Sequence, residues 1–341
     1  MMALMKAALA ACAAVLAYQY VRAPYLVPDF VGYNVGFPKT GTLAVSDMFT
    51  KAGFQSAHEF DRDRLLLPVL QKLANDDTAP LRAYLLRERP ARMRAQFGRP
   101  ALHMDSSSLN LFFVEELVAT APPHAKFLMT VRRPFAQYDS LLNHVNSRWF
   151  APQMEAGQSV RTFLELVFGD PTADATHYPA EEQAFYRAFK ARGGRYAWPF
   201  RGVVQSSTYF LRHALSAVPA GKLLLVRTEH LSSRAERGAI EAFLGLGGVL
   251  PASRRRYRTE KRGFADALAP PYVAALARAH CQALRPLFAK HGRGDLCEVA
   301  PAMTQGGRVA ALDNADSVDD DERPPEIEIG VDDDEFGVVV E

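Results

Sequence analysis

Residues 36–43 of the chain read Gly36-Phe37-Pro38-Lys39-Thr40-Gly41-Thr42-Leu43, and they join an apolar run at residues 30–37 to an amphipathic segment at residues 43–51. This order predicts a strand, a tight loop and a helix. The first N–H groups of a helix have no intrahelical partner and lie at the positive end of its dipole, so the loop is typical of a phosphate or sulfate site. Lys39 adds a positive charge, and Thr40 and Thr42 add hydroxyl donors. The alternative is an ordinary strand-to-helix turn, because short loop motifs recur by accident.

A second junction of this kind follows the apolar run at residues 126–131, where Arg132-Arg133-Pro134 opens a predicted helix through residue 146. Proline favours the first turn of a helix. Arg132 and Ser140 are eight residues apart, close to two helical turns, so they are predicted to lie near one helix face. A third basic segment, Lys261-Arg262-Gly263, precedes a predicted helix at residues 266–291.

Short apolar runs that alternate with helical patterns predict the fold class, an α/β fold with a central, mostly parallel sheet flanked by helices. The further predicted strands are at residues 54–59, 101–104 and 223–226, and the further predicted helices are at residues 61–97, 109–121, 202–217 and 235–246. Residues 147–200 show no clear period, and we expect ligand-recognition loops or simple connections there.

The charge of the chain is unevenly distributed. The net charge is +2 over 341 residues, but residues 313–341 contain thirteen acids and only Arg323, which leaves +14 on residues 1–312. A basic body suits anionic ligands, whereas the acidic segment cannot bury a core and is predicted to be disordered. Nucleic acid is not expected as a partner, since no basic stripe is interleaved with aromatic residues. The predicted domains are 1–30, 31–300 and 301–341.

The N-terminal segment is apolar from residue 7 to residue 18, between Lys6 and Arg22. It is short for a membrane span and closer to the apolar part of a signal peptide, so we interpret it as a weak signal anchor. The alternative is a helix packed on a soluble body. Cys12, Cys281 and Cys297 lack zinc-site spacing, and the last two either pair or remain free thiols.

The loop differs from the nucleotide-triphosphate loop, in which the lysine follows the second glycine. Its Pro38-Lys39-Thr40-Gly41-Thr42 run instead resembles the 5′-phosphosulfate loop of sulfotransferases that use 3′-phosphoadenosine 5′-phosphosulfate (PAPS). Leu43 stands where that family usually has threonine. Arg132 and Ser140 resemble the family's 3′-phosphate motif, although Arg133 replaces its usual aspartate or asparagine.

Further motifs resemble those of the sulfotransferase family and follow in the same order along the chain, to about residue 291. Residues 222–246 resemble its late strand and helix, with Glu229 at the strand exit in a structural role, and Lys261-Arg262-Gly263 resembles its basic-glycine loop.

This resemblance implies a P-loop-type three-layer fold and transfer of a sulfuryl group from PAPS to a hydroxyl or amine, with release of 3′-phosphoadenosine 5′-phosphate (PAP) and no required metal. The acceptor would be a small molecule, lipid or glycan, and a signal-anchored member would lie in the Golgi or secretory lumen, with the cytoplasm as the alternative. Lys39 would stabilise the leaving group. The implied donor-binding residues are Pro38, Lys39, Thr40, Gly41, Thr42, Leu43, Arg132, Ser140, Lys261, Arg262 and Gly263.

Three side chains at predicted strand ends compete as the base that takes the acceptor's proton. Glu59 is the first choice, His58 is adjacent to it, and His103 resembles the histidine base of the cytosolic branch in placement.

Two other functions stay open. A phosphotransferase would need a Mg²⁺-binding aspartate such as Asp105, and a non-catalytic protein would only bind a nucleotide or polyanion.

Overall fold

Five parallel strands form a central sheet in the order β2-β3-β1-β4-β5 in the computed structural model, which describes residues 31–98, 103–156, 158–171, 174–252 and 262–297. The strands are β1 (Gly32–Asn34), β2 (Ser56–His58), β3 (Met104–Ser106), β4 (Lys126–Val131) and β5 (Leu223–Arg227). β1 lies at the centre and pairs with β3 through Gly32 and Met104 and with β4 through Gly32 and Lys126. The prediction of an α/β fold with a parallel central sheet is therefore confirmed.

Helices connect consecutive strands. They are α1 (Thr42–Lys51), α2 (Arg62–Asn75), α3 (Ala79–Ala83), α4 (Arg89–Phe97), α5 (Val114–Thr120), α6 (Pro134–Val145), α7 (Ala151–Ala156), α8 (Gln158–Phe168), α9 (Gln183–Ala191), α10 (Phe200–Ala217), α11 (Arg234–Leu244) and α12 (Pro270–Lys290). A π-helical turn at Tyr84–Glu88 joins α3 to α4, and a 3₁₀ turn at Leu109–Phe113 leads into α5.

The side chains of β4 show why the fold has three layers. Phe127, Met129 and Val131 belong to the larger apolar core, whereas Leu128 belongs to a second core on the other face. Successive side chains of a strand point to opposite faces, so a strand buried on both faces requires helices on each. The second core contains Val45, Met48 and Phe49 of α1, which places the helix after the loop on that face.

Two local predictions were wrong. The strand was expected at residues 101–104, of which 101 and 102 lie outside the described residues. The described strand is Met104–Ser106, so His103 precedes it rather than lying near its end. Residues 147–200 contain α7, α8 and α9 rather than aperiodic loops. These helices have 6, 11 and 9 residues and are separated by proline and glycine, so no period extends far enough to be seen in the sequence.

No helix in the described ranges is long and apolar enough to cross a membrane. The proposed anchor at residues 1–30, the acidic segment at 301–341 and Lys261 lie outside the described residues, so the predicted domain boundaries stay predictions. Cys281 and Cys297 form a disulfide, which links α12 to the 3₁₀ turn at Gly294–Cys297.

Candidate anion-binding active site

The loop that follows β1 turns sharply at the carboxyl edge of the sheet. Gly36 is packed so closely that a Cβ atom there would lie 2.0 Å from Thr130 Oγ1. Lys39 and Gly41 have positive φ angles of 68° and 98°. Such a conformation is unusual for lysine and costs free energy, so neighbouring structure must hold it in place.

Side chains from elsewhere in the fold bind three consecutive carbonyl groups of this loop. Gln137 Nε2 donates to Pro38 O at 2.9 Å, Arg132 Nη1 donates to Lys39 O at 3.1 Å, and the Thr228 hydroxyl donates to Thr40 O. These three hydrogen bonds fix the loop through its backbone carbonyl groups and leave the backbone N–H groups that follow available to a ligand.

Those donors are the N–H groups at the start of α1. The first helical hydrogen bond runs from Val45 N to Gly41 O at 3.1 Å, and no side chain caps the helix. The N–H groups of Thr42, Leu43 and Ala44 have no hydrogen-bond partner within the part of the chain that the structure describes. An anion at this point would meet three free donors and the positive end of the helix dipole.

The two threonine hydroxyls are already engaged. Thr40 is buried, and its hydroxyl donates to Phe37 O at 2.6 Å, which stabilises the turn. The Thr42 hydroxyl lies 3.1 Å from His58 Nε2. The Leu43 side chain is 39% exposed, so this residue offers a ligand its backbone N–H and no hydroxyl.

Lys39 supplies a positive charge that no other described residue neutralises. Its side chain is half-buried and makes no hydrogen bond or ion pair with another described residue. Burial, with the nearby Arg132 charge, lowers the pKa of Lys39 to about 8, while Glu59 acts in the opposite direction. A bound anion would favour the charged form and raise this pKa.

The residues of the second predicted phosphate motif lie on α6 or close to it. Arg132 follows β4 directly, and Ser140 is half-buried on α6, three residues before Asn143. Asn143 Oδ1 accepts the backbone N–H of Arg262 at 2.9 Å. Since residues three apart are neighbours on a helix, the Arg262-Gly263 segment lies near the helix face that carries Ser140.

Glu59 lies directly after β2, with a positive φ of 57°. Its carboxylate accepts three hydrogen bonds, from Ser107 Oγ at 2.9 Å, Ser108 N at 3.0 Å and Ser108 Oγ at 2.8 Å. The residues after β3 therefore hold this carboxylate firmly. Its neighbour His58 has a lowered pKa because of burial first, although Glu59 opposes the shift, and the charges of Lys39 and Arg62 add to it.

His103 does not lie with the other candidates. It is buried at the start of β3, where its Nδ1 accepts the backbone N–H of Gln55 at 3.1 Å and its carbonyl accepts the N–H of Gly32 at 2.7 Å. Gly32 begins β1, so His103 is at the amino edge of the parallel sheet, opposite the loop.

His144, which the sequence analysis did not single out, lies close enough to Lys39, Arg62 and His58 for their charges to act on it. It lies on α6, seven residues after Gln137, and its ring is 4.4 Å from that of Phe150. Burial is the first cause that lowers the pKa of His144 to about 3, followed by the charges of Lys39, Arg62 and His58. The sequence carries one indication of this position, because residues 137, 140 and 144 are spaced at helical intervals and therefore lie along one face of a helix.

Asp105, the aspartate that a Mg²⁺-dependent enzyme would need, already has a positively charged partner. It is buried and forms an ion pair with Arg89. Glu229 also has a partner, since its Oε1 accepts the backbone N–H of Arg133 at 3.0 Å. The described residues contain no group of three or more His, Cys, Asp or Glu side chains that could hold a metal ion.

Comparison with solved structures finds similarity to a sulfotransferase from Alicyclobacillus acidocaldarius, with 16% identity, a TM-score of 0.43 and coverage of 78% of this chain and 97% of that one. The sulfotransferase domain of the Synechococcus PCC 7002 olefin synthase has 14% identity, a TM-score of 0.35 and coverage of 74% and 94%. The sulfotransferase domain of the curacin biosynthetic pathway has 13% identity, a TM-score of 0.40 and coverage of 76% and 98%. No protein-family model and no curated protein sequence matches the chain.

Proposed function

We propose that this chain is a sulfotransferase that moves a sulfuryl group from PAPS to a hydroxyl of a small-molecule, lipid or glycan acceptor and releases PAP. One observation supports this most directly: the preformed loop presents free N–H groups of α1 beside Lys39, whose charge has no partner among the described residues. Such a site suits an anionic group.

The proposed chemistry is an in-line displacement at sulfur. The acceptor oxygen forms a new S–O bond while the S–O bond to the 5′-phosphate breaks, and negative charge accumulates on the phosphate oxygen. Lys39 and the N–H groups of Thr42 and Leu43 would stabilise that charge, and preorganised donors of this kind are effective because they need no reorganisation.

The nucleotide's 3′-phosphate is assigned to the second junction. Arg132, Ser140 and the segment Lys261-Arg262-Gly263 are proposed to bind it. The hydrogen bond between Asn143 and Arg262 supports this, because it brings the basic segment to the helix that carries Ser140. Lys261 enters the proposal from the sequence alone.

The charges around the loop favour a hydroxyl acceptor over an amine. Lys39 and Arg62 lie close enough to influence His144 electrostatically, so this part of the site carries basic side chains. The nearby Glu59 carboxylate is engaged by Ser107 and Ser108. A protonated amine would be repelled from this site, whereas a neutral hydroxyl would not.

The phosphotransferase alternative is less well supported, because Asp105 is paired with Arg89 and Lys39 precedes Gly41 rather than following it. Isothermal titration separates the two functions. We expect PAP to bind in the absence of metal and ATP with Mg²⁺ to bind at least tenfold more weakly. The opposite preference would refute the proposal.

Transfer itself is tested with ³⁵S-labelled PAPS and a panel of phenolic, lipid and sugar hydroxyls. We expect label in at least one acceptor class and a loss on the order of a hundredfold or more in Lys39→Met. Lys51→Met, which removes an ion pair of 2.6 Å with Asp47 on the far end of α1, is the matched control. Tight PAP binding with no transfer to any acceptor would support a non-catalytic binding protein instead.

We also propose that residues 1–30 attach the protein to a membrane of the Golgi or secretory lumen. The apolar run of residues 7–18 supports this, as does the Cys281–Cys297 disulfide, since disulfides persist in oxidising compartments. Extraction of full-length protein from membranes by alkaline carbonate would argue against the anchor.

A further inference from the structure

Arg192 lies directly after α9, and its side chain is exposed. Its Nη1 atom donates a hydrogen bond to the backbone carbonyl of Gly263, in the Arg262-Gly263 segment. Within the residues that the structure describes, this is the only hydrogen bond of the Arg192 guanidinium. A basic residue that belongs to none of the sequence motifs therefore contacts the segment to which the nucleotide's 3′-phosphate is assigned.

Side chains from two helices hold the Arg262-Gly263 segment at both of its ends. Asn143 Oδ1 on α6 accepts the backbone N–H of Arg262 at 2.9 Å, and Arg192 binds the carbonyl of Gly263 from the end of α9. Gly263 has a positive φ of 58°, a left-handed conformation that glycine adopts without steric cost. The two hydrogen bonds therefore fix a turn of the backbone that only a few residue types can form.

Aromatic packing fixes α9 against both α6 and the residues that follow the segment. The ring of Phe185 on α9 lies 5.8 Å from that of Tyr138 on α6. One turn later, the ring of Phe189 lies 5.0 Å from that of Phe264, and all four of these side chains are buried. The end of α9 is therefore held in a defined position relative to the helix that carries the second predicted phosphate motif.

An acidic side chain lies beside the same glycine. Asp266 Oδ2 and Arg192 Nη1 are both among the three atoms nearest to the point that a Cβ atom of Gly263 would occupy. A carboxylate at this position repels a phosphate that approaches the segment, and a guanidinium on the same side of the glycine offsets the repulsion. Arg192 therefore contributes a positive charge as well as a hydrogen bond.

Building on the proposed function, we infer that Arg192 is a positioning residue for the 3′-phosphate of the nucleotide. It fixes the Arg262-Gly263 backbone through the Gly263 carbonyl, and it offsets the charge of Asp266 beside that backbone. Both effects act on the 3′-phosphate and on no other part of the nucleotide. Arg192 therefore contributes to the preference for PAP over AMP, which lacks this phosphate.

Isothermal titration of the full-length protein with PAP and with AMP tests this inference. We expect Arg192→Ala to weaken PAP ~3- to 10-fold and to leave AMP unchanged. Lys190→Ala is the matched control, because Lys190 is on the same helix and also donates to a backbone carbonyl, that of Arg195 at 3.4 Å. This control should bind both nucleotides as the wild type does. An unchanged PAP affinity in Arg192→Ala, or equal losses for PAP and AMP, would overturn the inference.

A second substitution separates the charge of Arg192 from a general structural effect. Asp266→Asn removes the carboxylate that Arg192 offsets, so the double variant Arg192→Ala/Asp266→Asn should recover part of the lost PAP affinity. No recovery would show that Arg192 does not offset Asp266. A wild-type protein that binds PAP no better than AMP would refute the proposed 3′-phosphate site itself, whereas a preference for PAP that survives Arg192→Ala would refute this inference alone.

Discussion

Lys39 should take up a proton when an anion binds to the loop. Burial and Arg132 lower its pKa to about 8 in the empty site, so at pH 8 about half of the molecules carry a neutral Lys39. A bound 5′-phosphate restores the pKa to at least the ordinary value of a lysine. PAP binding is therefore expected to take up about 0.5 proton per molecule at pH 8 and about 0.1 at pH 7. The uptake is smaller at pH 7 because Lys39 is already charged in about nine-tenths of the molecules.

The sign of the pH dependence follows from the same shift. The pKa of Lys39 is higher in the complex than in the free protein, so affinity is greatest below pH 8 and falls as the pH rises above it. The fall is expected to approach tenfold per pH unit, about 1.4 kcal/mol, up to about pH 10.

Calorimetry in buffers of different ionisation enthalpy measures this uptake directly. At pH 8 the phosphates of PAP are largely deprotonated, since their second pKa is about 6. Lys39→Met should abolish the uptake, while Lys51→Met should preserve it. Equal proton uptake by the wild-type protein and Lys39→Met at pH 8, with PAP bound to both, would show that Lys39 does not face the anion.

Other outcomes follow from individual contacts. Ser140→Ala should weaken PAP by ~1.5 to 3 kcal/mol and leave AMP, which lacks the 3′-phosphate, unchanged, whereas Arg132→Ala should weaken both in titrations, because Arg132 also holds Lys39 O. An equal loss for both nucleotides in Ser140→Ala would contradict the assignment. Glu59→Gln replaces an acceptor by a donor opposite two serines, so urea unfolding should show a loss of ~1 to 3 kcal/mol. His280, which lies 2.7 Å from the Thr208 hydroxyl, has a pKa lowered to about 4 by burial, so stability should fall as the pH drops from about 6.5 to 4 and should fall less in His280→Gln.

The sequence was sufficient to predict the strand-loop-helix junctions, because each carries its own local signals. The loop at residues 36–43 contains glycine, lysine and a helix start, and Arg132-Arg133-Pro134 marks the second junction. The alternation of short apolar runs with helical patterns also predicted the parallel sheet, since buried parallel strands are continuously apolar.

The site could not be completed from the sequence, because its remaining contacts join distant parts of the chain. Thr228 reaches the loop across 188 positions, and nothing in its neighbourhood indicates that contact. His103 was misplaced because β3 begins one residue after it, so a short shift of a strand boundary moved the side chain to the other edge of the sheet.

The three hydrogen bonds that hold the loop carbonyls also set when the site can form during synthesis. Gln137 and Arg132 reach back 99 and 93 positions to the loop, and Thr228 reaches back 188. A nascent chain that has emerged only through β4 contains the whole phosphate loop in sequence, but it lacks the residue that fixes Thr40 O. The third of these contacts therefore forms only once β5 has been translated and has docked beside β4, so the loop is fully braced late in synthesis.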